Sequence, residues 1–169
     1  MPRTIQGDLR GEGLRVAVLV STWNAEVTRR LLAGALEVLA KAGVADDDVV
    51  VVEVPGAYEL PQAAAAIADG DSCDAIVALG CLVHGETDHD RYIADACAKG
   101  LMDVSLAARI PVAFGVITAG TQAQADARSR IEPPPGEGAA GKGGHKGREA
   151  AEAAIRLANA MRRFEEDPS

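Results

Sequence analysis

The chain has 169 residues, 48% hydrophobic and 25% charged, a composition that suits one globular domain and excludes a disordered or coiled-coil chain. A net charge of −8 argues against nucleic acid or an anionic membrane surface as partner. No stretch approaches the roughly 18 apolar residues of a membrane span, and residues 1–15 lack the apolar segment of a secretory signal.

Strand-like and helix-like segments alternate along the chain. Residues 1–13 read as an arm ahead of a single domain over 14–166. Residues 14–20 (LRVAVLV) form a short β-branched run suited to a strand buried on both faces. After STWN (21–24), Val27, Leu31, Leu32, Ala35, Leu36 and Leu39 mark one face of a helix over 26–42, stopped by Gly43. VVVVEV (49–54) is a second buried strand, ended by Pro55-Gly56 and followed by a short helix over 60–68. AIVALGCLV (75–83) is the third strand. The polar loop HGETDH (84–89) leads from it into a helix over 90–108. VAFGVIT (112–118) is the fourth strand, followed by helices over 122–130 and 147–164. Between those last two lies IEPPPGEGAAGKGGHK (131–146), whose prolines and glycines make it a surface loop of unusual length. The pattern predicts an α/β fold: a three-layer αβα sandwich with a four-stranded parallel sheet, flavodoxin-like right-handed crossovers and helices on both faces.

In such sheets ligands bind beyond the carboxyl ends of the strands. That rule points to residues 21–24, 55–59, 81–89 and 118–121. Gly80 and Gly85 bracket the end of the third strand, where Glu86, Thr87 and Asp88 lead into a helix N-terminus. Such an end suits either ordinary capping or an anion such as phosphate. His89 is either a polar first-turn histidine or an acid/base. Glu59 is either a helix-start acid or a ligand for a polar substrate. Trp23, the one tryptophan, is either a docking anchor or a stacking platform for a flat heterocycle. Phe114 reads as core from its strand position. Arg128 reads as either a solvated helix arginine or a phosphate clamp. The cysteines, Cys73, Cys81 and Cys97, are odd in number and scattered without a CxxC. That pattern fits reduced thiols in a cytoplasmic protein and gives no metal site.

The four motifs, WN at 23–24, VPGAYELP at 54–61, ALGCLVHGETDH at 78–89 and VAFGVIT at 112–118 followed by Arg128 and KGREAAEAA at 146–154, resemble lumazine synthase in order and spacing. This riboflavin-pathway family is also described as the β subunit of riboflavin synthase. The resemblance spans residues 14–164. It implies condensation of 5-amino-6-(D-ribitylamino)uracil with 3,4-dihydroxy-2-butanone 4-phosphate to 6,7-dimethyl-8-ribityllumazine, the penultimate step of riboflavin biosynthesis, without metal or organic cofactor. It further implies that Trp23 and Asn24, with Ala57, Tyr58 and Glu59, hold the ribitylaminouracil. Cys81, Leu82 and Val83 would add backbone contacts, and Phe114 would come from a neighbouring subunit. Gly85, Glu86, Thr87 and Arg128 would hold the phosphate, and His89 would be the acid/base. Lys146 matches a family lysine near the phosphate. The partners implied are the two small-molecule substrates, copies of the same chain, and riboflavin synthase, which consumes the product.

Some positions depart from the family pattern. Trp23 stands where phenylalanine is commoner. His84 and Asp88 are unexpected beside the site, and Asp88 sets a negative charge next to the phosphate. The loop at 131–146 is longer than in shell-forming members, which points to a homopentamer with sites between subunits. Residues 4–7 match a segment that pairs with a neighbour's sheet. The main alternative is a non-catalytic flavin- or ribityl-binding protein on the same fold. A response-regulator module is disfavoured, because the first strand ends in STWN and not in an acidic cluster.

Overall fold

A computed structural model describes residues 1–132 and 144–167. Four strands, β1 (Val16–Ser21), β2 (Val49–Val54), β3 (Ala75–Val83) and β4 (Val112–Ala119), form one parallel sheet in the order β2-β1-β3-β4. Five helices accompany it: α1 (Ala25–Ala42), α2 (Leu60–Asp69), α3 (His89–Ala108), α4 (Gln122–Ala127) and α5 (Lys146–Glu166). The expected αβα sandwich is what the chain forms.

Alternation along the strands builds two cores. Val16, Val18 and Val20 of β1 with Val77, Leu79 and Cys81 of β3 face α1 and α5. Ala17 and Leu19 with Ile76 and Ala78 face α2 and α3. Strand residues one apart thus enter different layers, as the pleat requires. Small residues let the helices approach closely: a Cβ at Gly147 of α5 would lie 2.1 Å from the Leu31 carbonyl oxygen of α1. Residues 3–11 lie along α5 and the end of α1 of their own chain. Asn159 Nδ2 donates to the Asp8 and Arg10 carbonyls at 3.0 and 2.8 Å, and Gly11 N–H donates to the Ala42 carbonyl at 2.7 Å.

Three expectations change in detail. β2 is not buried on both faces: Val50 and Val51 are 51% and 40% exposed. Among the described residues β2 is an edge strand, paired only with β1, and nothing in its own composition reveals that. α4 stops at Ala127 instead of continuing to residue 130. The buried Ser129 hydroxyl, against the Ala125 and Asp126 carbonyls at 3.2 and 3.3 Å, serves two backbone acceptors that a longer helix would have bonded itself. Phe114 is not core but 49% exposed, because β4 is the other edge. Most of the expected loop at 131–146 falls outside the described residues. Within its flanks Ile131 and Glu132 are exposed, and Lys146 already opens α5, its N–H donating to the Arg128 carbonyl at 2.9 Å.

Candidate active site

The carboxyl ends of β1, β2 and β3 bring three of the four motifs together. β1 runs into Trp23, whose N–H donates to the Pro55 carbonyl at 3.0 Å. That bond ties the WN segment to the turn after β2. The indole lies over Gly56, where an added Cβ would stand 2.6 Å from Trp23 Cε3. Trp23 is 62% exposed, so it is no docking anchor. It is a flat apolar face held open beside the turn.

Asn24 caps α1 with φ of 58°, in the left-handed region that asparagine tolerates better than most residues. This backbone turn sends its side chain across the sheet, where Nδ2 donates to the Cys81 carbonyl at 2.9 Å. The end of β1 is therefore pinned to β2 by backbone and to β3 by side chain.

After Gly56 a short 3-10 turn, Ala57–Glu59, precedes α2. Glu59 Oε2 accepts from the Gly56 N–H at 2.9 Å. The helix-start role of Glu59 is real, and it orients the carboxylate beside the indole. Ala57 is buried beneath the turn and Tyr58 is 61% exposed above it.

At the end of β3, Cys81 is buried while Leu82 and Val83 are half-buried. Burial pushes the Cys81 thiol up to about 11, assisted by the Asp126 charge. At neutral pH the thiol keeps its proton, so Cys81 is a wall residue and not a nucleophile. Residues 84–88 then turn into α3. Asp88 occupies the N-cap position, yet no side-chain hydrogen bond caps α3. Gly85, Glu86, Thr87 and His89 are all exposed there. The capping reading of Thr87 and Asp88 therefore fails, and the helix end presents backbone N–H groups and the positive end of its dipole. His89 is the first residue of α3, directly over this end. His84 Nδ1 lies 3.2 and 3.3 Å from the two carboxylate oxygens of Asp90, a hydrogen-bond contact that bridges the loop.

Arg128 is the C-cap of α4, beyond β4, with Nη1 donating to the Gln124 carbonyl at 3.2 Å. Phe114 stays apart from the strand ends: it pairs in register with Ala78, well before β4 ends at Ala119. Lys146 Nζ contacts Glu149 at 2.7 Å. The sequence reading missed the ties that hold these parts, Arg30 to Asp126 and Ser129, and His84 to Asp90. Arg30 and Asp126 are 96 residues apart, and no local pattern joins them. Among the described residues no group of three or more histidine, cysteine, aspartate or glutamate side chains is placed to hold a metal ion, and no helix is long and apolar enough to cross a membrane.

The arrangement offers a stacking face, a carboxylate, a helix N-terminus for an anion, an arginine and an imidazole. The family model for 6,7-dimethyl-8-ribityllumazine synthase matches residues 13–162. The 6,7-dimethyl-8-ribityllumazine synthase of Salinibacter ruber is 43% identical over 165 residues, 98% of this chain and 99% of that protein. Proteins of the same name from Xanthomonas campestris and Xanthomonas oryzae are each 42% identical over 156 residues, 92% of this chain and 95% of theirs.

Proposed function

The chain belongs to the 6,7-dimethyl-8-ribityllumazine synthase family, and from that premise we propose that it is a transferase that condenses 5-amino-6-(D-ribitylamino)uracil with 3,4-dihydroxy-2-butanone 4-phosphate at the carboxyl end of its sheet. The observation that carries this reading is the juxtaposition there of an exposed indole seated on Gly56 with a helix N-terminus that no side chain caps and that bears His89.

Trp23 stacks on the pyrimidine ring, with Asn24 fixing the segment that carries it. Glu59 accepts from ribityl hydroxyls while its other oxygen stays on the Gly56 N–H. Ala57, Tyr58 and the backbone of Cys81, Leu82 and Val83 line the ring's surroundings. The phosphate sits against the N–H groups of residues 85–87, where dipole and unpaired donors favour an anion, and Arg128 closes on it. Asp88 weakens that binding by its charge, and the arginine offsets it.

The amine of the uracil attacks the ketone and one water leaves as the imine forms. Loss of a proton then expels phosphate, and closure of the second ring releases another water. Each step moves a proton, and His89 beside the phosphate is placed to carry it. Holding two substrates in line supplies most of the acceleration, and a positioned acid/base adds about 10²–10⁴-fold. None of these steps needs a metal or an organic cofactor.

The site is completed by a second subunit, which contributes Phe114. The half-exposed ring on an edge strand supports this. The assembly is a homopentamer, and light scattering on the purified protein should give five times the 17.4 kDa chain mass. The enzyme works in the cytoplasm, a reading supported by three buried free thiols, and hands its product to riboflavin synthase. Mixing the protein with both substrates and following the absorbance and fluorescence of the lumazine tests the activity. Product above the uncatalysed background supports it. Tight binding of ribityl compounds without turnover would favour the binding-protein alternative instead.

A further inference from the structure

The phosphate clamp stands on a weak element. α4 has six residues, too few to persist without tertiary support. Its first turn is held by Thr121 Oγ1, which accepts from the Gln124 N–H at 3.2 Å, and by Gln124 Oε1, which accepts from the Gly120 N–H at 2.8 Å. Its last turn is held from outside, by the Lys146 N–H of α5 on the Arg128 carbonyl at 2.9 Å and by one side chain of α1. Arg30 Nη2 donates to Asp126 Oδ1 at 2.5 Å, and Arg30 Nε donates to Ser129 Oγ at 3.1 Å. The two arms of the guanidinium thus grip the residues on either side of Arg128, two before it and one after it. Ser129 is fully buried, and both charged partners are about two-thirds buried. The pair lies close enough to the end of β3 that both charges act on the Cys81 thiol.

We infer that Arg30 is a positioning residue for the phosphate-bearing substrate, acting through Arg128. This rests on the reading of Arg128 as the phosphate clamp. The Nε and Nη2 of Arg30 are committed to Ser129 and Asp126. Arg30 fixes the backbone from which a long, flexible side chain is aimed, so a small pivot of α4 is magnified at the guanidinium of Arg128. Removing Arg30 leaves no buried charge without a partner, because Asp126 is one-third exposed and Gln122 Nε2 also reaches it at 3.3 Å. The fold should therefore survive the change.

The test is a double-mutant cycle on the assembled enzyme with Arg30→Ala, Arg128→Ala and both together, with Arg30→Lys and Asp126→Asn alongside. The readouts are KM for each substrate and the inhibition constant of inorganic phosphate. Arg30→Ala should raise KM for the phosphate-bearing substrate and the phosphate inhibition constant about tenfold, with KM for the ribitylaminouracil within about twofold. Asp126→Asn should give the same signature. Arg30→Lys, which keeps the charge but not the grip on Ser129, should fall between Arg30→Ala and wild type. In the Arg128→Ala background, Arg30→Ala should add less than about twofold. Equal rises in both KM values, or full additivity with Arg128→Ala, would overturn the inference. If Arg128→Ala alone leaves KM for the phosphate-bearing substrate unchanged, the clamp reading itself falls and takes the inference with it. A normal response to Arg128→Ala with none to Arg30→Ala or Asp126→Asn would overturn the inference alone.

Discussion

Gly56→Ala isolates the stacking face from the fold. The backbone at Gly56 is extended, with φ of −137° and ψ of 178°, a conformation alanine adopts freely. The added methyl would stand 2.6 Å from Trp23 Cε3 and 2.8 Å from Cζ3. Ordinary contact begins near 3.4 Å, so the ring must retreat by 0.8 Å. It can do so at little cost, because it is 62% exposed. Glu59 Oε2, at 3.1 Å from the new carbon, must give by a few tenths of an ångström. Stability should stay level or rise by about 0.4–1 kcal/mol, since alanine restricts the unfolded chain. Binding should suffer, because misplacing a positioning group by about 1 Å can cost up to about 100-fold. We expect KM for the ribitylaminouracil to rise about 10- to 100-fold, with KM for the butanone phosphate unchanged. As the chain has one tryptophan, quenching of its intrinsic emission by the uracil or the lumazine reports on Trp23 alone and gives the affinity directly. A Gly56→Ala protein that melts as wild type and quenches with wild-type affinity would refute the placement of the ring on Trp23.

Other consequences follow from the same geometry. Asn24→Gly removes the bond to the Cys81 carbonyl but keeps the left-handed backbone, whereas Asn24→Ala loses both. Chemical denaturation should show the alanine variant about 1–2 kcal/mol less stable than the glycine variant, and the reverse order would contradict the strain argument. Burial raises the thiols of Cys73, Cys81 and Cys97, the latter two to about 11. Iodoacetamide at pH 8 should therefore label none of the three in the folded protein and all three in denaturant. Burial, with help from the Arg148 charge, holds His145 below its ordinary 6.5, while backbone hydrogen bonding at Arg30 and the Glu37 charge act the other way. Its Nδ1 accepts from the Arg148 N–H at 3.1 Å to cap α5. The unfolded chain takes up this proton first, so stability is complete above about pH 6.5 and falls as the pH drops below it, by at most about 1.4 kcal/mol per pH unit. His145→Asn keeps a capping acceptor and should flatten Tm between pH 7.5 and 5.5. An equally steep fall in the variant would place the titration elsewhere.

The layers of the fold are legible because period-two runs and helical stripes are local properties. The β1, β2 and β3 segments, the helices between them and the polar loop after β3 follow from them. What composition does not carry is neighbourhood. VVVVEV has the run of a central strand, and only the order β2-β1-β3-β4 makes it an edge. Phe114 reads as core for the same reason and is half exposed for the same reason. The strand-end rule marked the segments that hold most of the motif residues, and the resemblance to lumazine synthase supplied their roles. The residues that aim them were not marked, since the Arg30–Asp126 contact and the Asn24 bond to the Cys81 carbonyl join groups 96 and 57 positions apart. His145 sits at the tail of a glycine-rich run, and nothing local marks it as a buried cap packed on Gly34.

The most direct test compares turnover of the wild-type enzyme with that of His89→Ala at saturating concentrations of both substrates, with lumazine formation as the readout. The account predicts that the variant folds and assembles, since His89 is exposed, and that its kcat falls about 10²–10⁴-fold while staying above the uncatalysed rate. Wild-type protein without turnover, or a His89→Ala protein as fast as wild type, would contradict it.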